Sequence, residues 1–203
     1  MKAIPSLHKS RQLHSRIFVV MVVILALVSQ PVLEQGVFLR QLMLWVGYAL
    51  VMAGTFGRIY CSIYIGGRKN GMVVREGPFS VVRNPLYVCS FVAMVGIGLQ
   101  SGMFALLLLL MGAFMSYYPK VVAKEEAFLQ HSFGAAYEAY LREVPRWLPD
   151  FKLWKEPEQI ETKPKFIRDT LMDAAIFFLP LPCFYLIAVL HAHHLLPLWL
   201  ILP

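Results

Sequence analysis

The sequence predicts an all-α integral membrane protein with about five transmembrane helices, including a short helical hairpin. Of its 203 residues, 58% are hydrophobic and only 15% are charged, whereas a soluble domain carries roughly a quarter charged residues. In addition, several apolar stretches approach the length of about 20 residues that crosses a hydrocarbon core. These observations exclude an ordinary soluble domain.

Four of the predicted spans lie in the first 118 residues. Ile17–Leu33 and Phe38–Phe56 are each long enough to cross, and the first is expected to be a retained span rather than a cleaved signal peptide. Leu86–Tyr118 has 33 residues without a charged side chain, which as one helix would extend roughly 50 Å. Because the stretch "GIGLQSG" at its centre supplies turn residues, it is predicted to form a hairpin of Leu86–Leu99 and Met103–Tyr118.

A fifth span is predicted at Ala174–Leu190, kinked by Pro180 and Pro182. The elements divide the chain into four regions. These are a two-span membrane region (1–67), a core that carries the motifs described below (68–150), a polar linker (151–169) and an additional C-terminal membrane segment (170–203).

The charge distribution predicts the orientation in the membrane. The chain has a net charge of +7, and 18 of its 19 Lys and Arg residues lie before the first span, in 58–83 or in 120–168. By the positive-inside rule these three stretches are cytoplasmic, which places the N-terminus and the motif-bearing face on the cytoplasmic side. The basic excess therefore indicates topology and contact with anionic lipid headgroups, and no nucleic-acid partner is expected.

No metal site is predicted. The three cysteines lie in apolar surroundings and imply neither a disulfide framework nor a metal centre. The histidines near the end of the fifth span are expected on the outer side, far from the motifs.

The second span carries two features with structural interpretations. Ala49, Ala53 and Gly57 are four residues apart, which predicts a stripe that packs against a neighbouring helix. The stretch Gly57–Gly71 mixes Arg, Tyr and Gly at the interface. Snorkelling arginines and interfacial tyrosines are favoured there over a gate for lipid entry.

The triplet Arg83-Asn84-Pro85 stands directly before the third span. Asn is among the best helix N-caps and Pro is favoured at the first helical position, so Asn84 is predicted to cap this helix. Capping alone would explain the triplet, and a functional role is equally open at this point.

A second charged stretch, "YYPKVVAKEEAFLQHSFGAAYEAYLREVPRWLP", follows the fourth span. Pro119 is predicted to start an amphipathic helix on the cytoplasmic side. Glu125 and Glu126 lie three or four residues from Val122 and Leu129, so at least one carboxylate faces the apolar side. A buried carboxylate needs a partner or a ligand. The candidate partners within the chain are Lys120, Lys124 and Arg83.

Taken together, the two stretches resemble the isoprenylcysteine carboxyl methyltransferase family and the related phospholipid methyltransferases. The resemblance covers roughly residues 68–149. The matching pieces are "GPFSVVRNPLY" (Gly77–Tyr87), the apolar hairpin behind it, "KEEAFL" (Lys124–Leu129), "FGAAYEAY" (Phe133–Tyr140) and "VPRWLP" (Val144–Pro149).

The resemblance implies methyl transfer from S-adenosylmethionine (SAM) at the membrane surface, to a lipidic or amphipathic acceptor that enters from the bilayer. In the family, the triplet region, a Gly-rich point in the hairpin and the Glu-Glu helix form the cofactor pocket. The resemblance assigns no catalytic residue. The positions carried over to this chain are Arg83, Asn84, Pro85, Tyr87, Gly96, Gly98, Glu125 and Glu126.

The chemistry of SAM is compatible with these residue types. A sulfonium favours an aromatic face, which makes Tyr87, Tyr137 and Tyr140 candidates. A Glu can accept hydrogen bonds from ribose hydroxyls or an ammonium group, and Arg83 can hold a carboxylate in a fork. Close helix packing is at least as good an explanation for the two hairpin glycines.

Asn84 departs from the family pattern, because the family often has His at this position. Asn can donate or accept a hydrogen bond but cannot titrate. The departure favours the alternative function, a non-catalytic regulatory or structural membrane protein that retains the fold. A transporter is a third reading, and the near absence of charge within the spans counts against it.

Overall fold

The computed structural model describes residues 20–32, 37–68 and 71–202 of the chain. Within them, three helical stretches are long and apolar enough to cross a membrane: Phe38–Ile65, Phe104–Phe133 and Pro164–Ala192. The prediction of a helical membrane protein is therefore confirmed. The first predicted span, Ile17–Leu33, lies partly outside the described residues, and a total of five spans stays a prediction.

Eight helices account for most of the described chain, with one two-stranded parallel pair. Strand β1 (Ser29–Pro31) pairs with β2 (Leu200–Leu202), with Ser29 opposite Leu200. Single 3₁₀ turns occur at Phe151–Leu153 and Ile176–Phe178. The helices are α1 (20–28), α2 (Phe38–Ile65), α3 (Pro78–Val81), α4 (Pro85–Ser101), α5 (Phe104–Phe133), α6 (Ala135–Glu143), α7 (Pro164–Ala175) and α8 (Pro180–Ala192).

Helices α2 and α4 approach each other closely through glycines. A Cβ atom added at Gly96 would lie 2.6 Å from the backbone oxygen of Gly47, and one added at Gly54 would lie 2.5 Å from a backbone oxygen of α4. The predicted stripe is only partly present: Ala49 and Ala53 are exposed, whereas a Cβ at Gly57 would lie 2.7 Å from Sγ of Cys89 in α4. Gly47 and Ala49 point about 200° apart around the helix, so the packing face is the one that carries the glycines.

The predicted hairpin is present as α4 and α5. Helix α4 ends at Gly102, whose φ of 71° is in the left-handed region that Gly adopts readily. The hydroxyl of Ser101 accepts from the backbone N–H of Met103 at 3.1 Å and donates to the carbonyl of Gly98 at 2.6 Å. This tight turn allows α4 and α5 to pack against each other.

Helix α5 continues through Pro119 to Phe133, so the prediction that Pro119 starts a new helix is wrong. Proline removes one backbone hydrogen bond, but the turns on both sides keep theirs, as is common in membrane helices. The 30 residues of α5 extend about 45 Å, which exceeds a hydrocarbon core of about 30 Å. The polar second half, with Glu125 and Glu126, therefore projects beyond the apolar half.

A single residue, Gly134, joins α5 to α6. Its φ is 52° and its ψ is −129°, a conformation that residues with a Cβ rarely adopt. The chain reverses here without a loop, which places α6 beside the second half of α5.

The linker packs against the end of α2. Backbone N–H groups of Gly77 and Lys163 donate to the carbonyls of Lys155 and Gly66, at 2.7 and 3.3 Å. The helical run of the last segment starts at Pro164, ten residues before the predicted start at 174. Within this stretch the α-helix is interrupted by the 3₁₀ turn Ile176–Phe178, directly before Pro180, which opens α8.

Candidate functional site

A cavity of about 230 Å³ lies beside α6, at the point where α2 and α5 end and α4 begins. The volume is just below the range of about 300–1,000 Å³ that is typical of small-molecule sites. One wall is charged and the other is apolar. Its lining includes eight of the ten predicted site residues: Arg83, Asn84, Pro85, Tyr87, Glu125, Glu126, Tyr137 and Tyr140.

Two irregular segments run side by side to build the charged wall. The backbone N–H of Arg83 donates to the carbonyl of Pro145 at 2.8 Å, and that of Asp150 donates to Val81 at 2.9 Å. Gly77 starts the first segment with a φ of 54°, and a Cβ there would lie 2.2 Å from the ring of Tyr64. Only Gly fits this position, which explains why the quoted motif begins with it.

Glu126 is the centre of a group of charged and polar side chains that we call the Glu126 network: Arg83, Asn84, Glu126 and Arg146. The Glu126 side chain is only 7% exposed. Nη1 of Arg83 lies 3.7 Å from Oε1 of Glu126, and Arg146 forms a close ion pair with Oε2. The amide of Asn84 donates to Oε1 at 3.3 Å. A buried carboxylate thus has two cationic partners and a neutral donor.

The side chain of Asn84 does not cap α4. Asn84 occupies the N-cap position, but its side chain makes no capping hydrogen bond. Its amide instead donates to Glu126 and, at 3.4 Å, to the carbonyl of Arg146. The capping prediction is therefore wrong at the level of the side chain, because the carboxylate of Glu126 competes for the same amide.

Glu125 and Tyr87 form a second contact across the cavity. The hydroxyl of Tyr87 donates to Oε2 of Glu125 at 3.0 Å. The ring of Tyr87 lies 5.5 Å from that of Tyr118, which in turn stacks on Phe114 at 4.0 Å. Glu125 and Glu126 therefore both face the cavity, each with a different partner.

Tyr137 and Tyr140 of α6 close the apolar side. Both are buried, and the hydroxyl of Tyr140 donates to the carbonyl of Phe79 at 2.7 Å. Burial, together with the nearby charge of Glu126, raises the pKa of Tyr137 to about 12. Burial also raises the pKa of Tyr140. Both phenols are therefore neutral at physiological pH.

Arg58 reaches the cavity from α2. Its Nη1 donates to the carbonyl of Leu86 at 3.3 Å and to the hydroxyl of Ser90, and its guanidinium lies 5.6 Å from the ring centre of Phe177. The prediction that the arginines of this stretch snorkel outward is wrong for Arg58. Its side chain ties α2 to α4 beneath the cavity.

Comparison with known proteins identifies the matching family. Residues 36–136 match the family model described as phospholipid methyltransferase. The chain is also 32% identical over 102 residues to protein-S-isoprenylcysteine O-methyltransferase of Schizosaccharomyces pombe, covering 50% of this chain and 42% of that protein. Both comparisons confirm the predicted resemblance to the phospholipid and isoprenylcysteine carboxyl methyltransferases.

Two further relatives have names that refer to metals. The nickel-cobalt-cadmium resistance protein NccN of Alcaligenes xylosoxydans xylosoxydans is 36% identical over 137 residues, which cover 68% of this chain and 64% of that protein. The cobalt-zinc-cadmium resistance protein CzcN of Cupriavidus metallidurans is 37% identical over 120 residues, covering 59% and 55%. The chain thus spans less than two thirds of the length of each relative it matches. No solved structure matches the chain significantly.

Two residues that the family resemblance assigned to the cofactor pocket lie elsewhere. Gly96 packs against Gly47 and Val51 of α2, and a Cβ at Gly98 would lie 2.9 Å from the Cα of Leu107 in α5. Neither glycine lines the cavity. Close helix packing accounts for both, and their contact with a cofactor stays a prediction without support from this geometry.

Arg146 is the main site residue that the sequence reasoning missed. The lysines proposed as partners of the Glu pair, Lys120 and Lys124, are exposed and lie outside the Glu126 network. Arg146 takes their place, from the segment after α6. The signal was present, because Arg146 is the charged residue of the family piece "VPRWLP".

Proposed function

We propose that this protein is a SAM-dependent membrane methyltransferase and that its cofactor binds in the cavity beside the Glu126 network. The observation that carries the proposal is the meeting of three family motifs at one buried carboxylate. Arg83 and Asn84 come from the first motif, Glu126 from the second and Arg146 from the third. Arg83, Asn84 and Glu126 line the cavity. Arg146 is not among the lining residues but pairs with Glu126, so pieces that are 20 to 63 residues apart in sequence meet at this carboxylate.

The residues present fit such a cofactor. Nε of Arg83 is buried without a hydrogen-bond partner among the described residues, so the guanidinium keeps a donor for the carboxylate end of a ligand. The opposite wall, with Val73, Phe79 and Leu129, is apolar and suits a flat purine ring. The Tyr87 and Tyr137 rings supply aromatic surface for a sulfonium.

When bound, SAM supplies an electrophilic methyl group for an in-line displacement. Such a reaction depends on positioning and on exclusion of water. In this chain, Arg83 and Glu126 fix the polar end of the site, while the buried Tyr137 and Tyr140 keep water from its apolar side. With phenol pKa values above physiological pH, neither tyrosine accepts a proton. A proton on the acceptor is therefore not taken up by these two tyrosines.

The acceptor in this proposal is a lipidic or amphipathic molecule that enters from the bilayer. The support is the position of the cavity at one end of the apolar helices, where α2 ends, α4 begins and the apolar half of α5 gives way to its polar half. The positive-inside distribution of Lys and Arg places this end of the bundle at the cytoplasmic face.

The competing function is a non-catalytic membrane protein that retains the fold. The observation in its favour is Asn84, which holds Glu126 where the family often has a His. The relatives named for metal resistance do not change the proposal. Among the described residues, no three His, Cys, Asp or Glu side chains come together as a metal site.

The test is calorimetric titration of the protein in nanodiscs with SAM. We expect saturable binding that is lost in Glu126→Gln and retained in Glu138→Gln, a matched change at an exposed residue of α6. Wild-type protein that is folded and does not bind SAM would refute the proposal.

A second experiment separates catalysis from binding alone. The protein is incubated with radiolabelled SAM and extracted membrane lipids, and label in the lipid fraction is measured. Transfer that requires Glu126 supports the enzyme, whereas binding without transfer to any lipid pool supports the non-catalytic function.

A further inference from the structure

A second cavity, of about 310 Å³, lies at the opposite end of the helical bundle. It is bounded by β1, the start of α2, the α4–α5 turn and the end of α8. None of its lining residues belongs to the Glu126 network. Arg40, at this end of α2, is 18 residues before Arg58 at the other end, about 27 Å along the helix. The two cavities are therefore separated by roughly the thickness of a hydrocarbon core.

Three buried polar side chains that line this second cavity each have one atom without a hydrogen-bond partner among the described residues. Ser29, Arg40 and His191 all line it, and they are 2%, 9% and 5% exposed. Oγ of Ser29, Nε of Arg40 and Nε2 of His191 make no hydrogen bond with any described residue. Buried polar atoms are almost always paired in native proteins. Three unpaired atoms on three different elements around one cavity indicate a ligand.

The positive charge of Arg40 favours a negatively charged ligand. Nη1 of Arg40 donates to the backbone carbonyl of Gln100 at 3.1 Å, which satisfies one donor but supplies no counter-charge from the part of the chain that the structure describes. None of the described residues that line the cavity is Asp or Glu. An unpaired buried cation is costly, and an anion removes that cost.

We propose that this cavity binds a phosphate group, held by Arg40, Ser29 and His191. Arg forms strong forked hydrogen bonds with phosphate oxygens, and hydroxyl and imidazole groups donate to them as well. Donors on three separate elements suit a tetrahedral oxyanion better than a planar carboxylate with two oxygens. The phosphate is either inorganic or part of a phospholipid headgroup. For the lipid, the apolar lining residues Phe184 and Ile187 offer a path for the acyl chains.

The experiment measures thermal unfolding of the full chain in detergent. One arm compares inorganic phosphate with chloride at equal ionic strength, and the other compares phosphatidylglycerol with diacylglycerol, which lacks the phosphate. A ligand that binds only the folded state raises the unfolding midpoint. A response to both probes indicates a site open to free phosphate, and a response to the phospholipid alone indicates a headgroup site. Both support the proposal when Arg40→Gln abolishes the response.

Three further variants make the result decisive. Ser29→Ala removes one donor with little change in volume, and we expect phosphate to bind about tenfold more weakly. This variant decides the question if Arg40→Gln does not fold. Arg168→Gln, at a side chain that is 71% exposed near the other end of the bundle, should respond as the wild type does.

The proposal is overturned if neither probe shifts the wild-type midpoint, or if Arg40→Gln and Ser29→Ala respond as strongly as the wild type. Glu34→Gln tests an internal partner. Glu34 is the acidic residue nearest to Arg40 in the sequence and lies outside the described residues. A phosphate response that appears only in Glu34→Gln would show that Arg40 pairs with Glu34, which would also overturn the proposal.

Discussion

Buried charge has counter-charges at one end of the helical bundle and none among the described lining residues at the other. At the motif end, Glu126 is 7% exposed and has Arg83, Arg146 and Asn84 around it. At the other end, Arg40 is 9% exposed and has a backbone carbonyl as its hydrogen-bond partner, with no carboxylate among the described residues that line its cavity. The same helix, α2, contributes to both cavities.

The difference teaches that sequence motifs mark only the end where the charges compensate each other. Arg83, Asn84, Glu126 and Arg146 occur in the short pieces that carry the family resemblance, and they are partners of one another in the structure. Arg40 stands alone in the sequence, outside the three basic stretches. Its significance becomes visible only through its burial.

The largest expected effect is at the motif end. Glu126→Gln leaves two arginines without their counter-charge, and removing one partner of a buried ion pair costs about 3–5 kcal/mol. We expect a loss near the lower limit, since Gln retains hydrogen bonding. The free energy of unfolding in detergent measures it, with Glu138→Gln as the exposed control. A loss equal to that of the control would mean that the network does not stabilise the fold.

The next effect concerns the close packing of α4 against α2 at Gly96. Gly96→Ala places a Cβ 2.6 Å from the Gly47 oxygen and 2.8 Å from the Val51 nitrogen, and overpacking of this kind costs about 1–3 kcal/mol. Gly112→Ala is the matched control, because a Cβ there has nothing within 4 Å. We expect the control to be neutral or slightly stabilising. If Gly96→Ala instead abolished SAM binding at unchanged stability, the predicted cofactor contact would be supported.

A smaller loss is expected for Tyr140→Phe. The variant leaves the buried carbonyl of Phe79 without its 2.7 Å hydrogen bond, which costs about 1–2 kcal/mol. Tyr117→Phe is the control, because Tyr117 is 38% exposed on α5. Thermal unfolding of the two variants should differ, and equal midpoints would show that the Tyr140 hydroxyl contributes nothing.

Arg40→Gln should change stability by less than about 1 kcal/mol in detergent free of phosphate. The lost hydrogen bond to Gln100, worth about 1 kcal/mol, is offset by removal of an uncompensated buried charge. The comparison with Glu126→Gln is direct, since both variants neutralise one buried side chain. A loss above about 3 kcal/mol would indicate that Arg40 has a carboxylate partner.

The smallest expected effect is a loss of folding stability in alkaline solution, which is absent at neutral pH. The pKa of Tyr137 is about 12 in the folded chain, above the ordinary value of 10.0. A raised pKa means that the folded state keeps the proton longer. The resulting stability is fully present below pH 10 and is lost as the pH rises towards 12. We expect Tyr137→Phe to lose less stability than the wild type over this interval, and parallel pH profiles would contradict the assignment.

Local patterns were sufficient to predict the helical membrane fold and the position of the hairpin. The apolar lengths and the turn residues of "GIGLQSG" require no tertiary information. The proximity of Glu125 and Glu126 to the Arg83 triplet was predicted on a different basis, the resemblance to a known family. The cofactor itself stays a prediction.

The errors arose where tertiary contacts decide between local alternatives. Spacing of four residues identified a small-residue stripe on α2, but it could not tell which of two small-residue faces meets α4. Pro119 is compatible with a helix start, yet the helix before it continues through it. The Asn84 side chain prefers a cap locally, and a carboxylate 42 residues further along the chain takes its amide.

The one-residue connection at Gly134 has a consequence for the rate at which ligands exchange. Tyr137 and Tyr140 cover the cavity from α6, and α6 is attached to α5 by two backbone torsions with no loop between them. In the proposed function, a nucleoside cofactor would need more room than this cavity of about 230 Å³, and we expect α6 to turn away as it enters. Such a movement would break the Tyr140–Phe79 hydrogen bond and the contact of Arg75 with Ala136. Because one glycine joins the two helices, the opening would be a rotation about Gly134, with no segment that must unfold and refold.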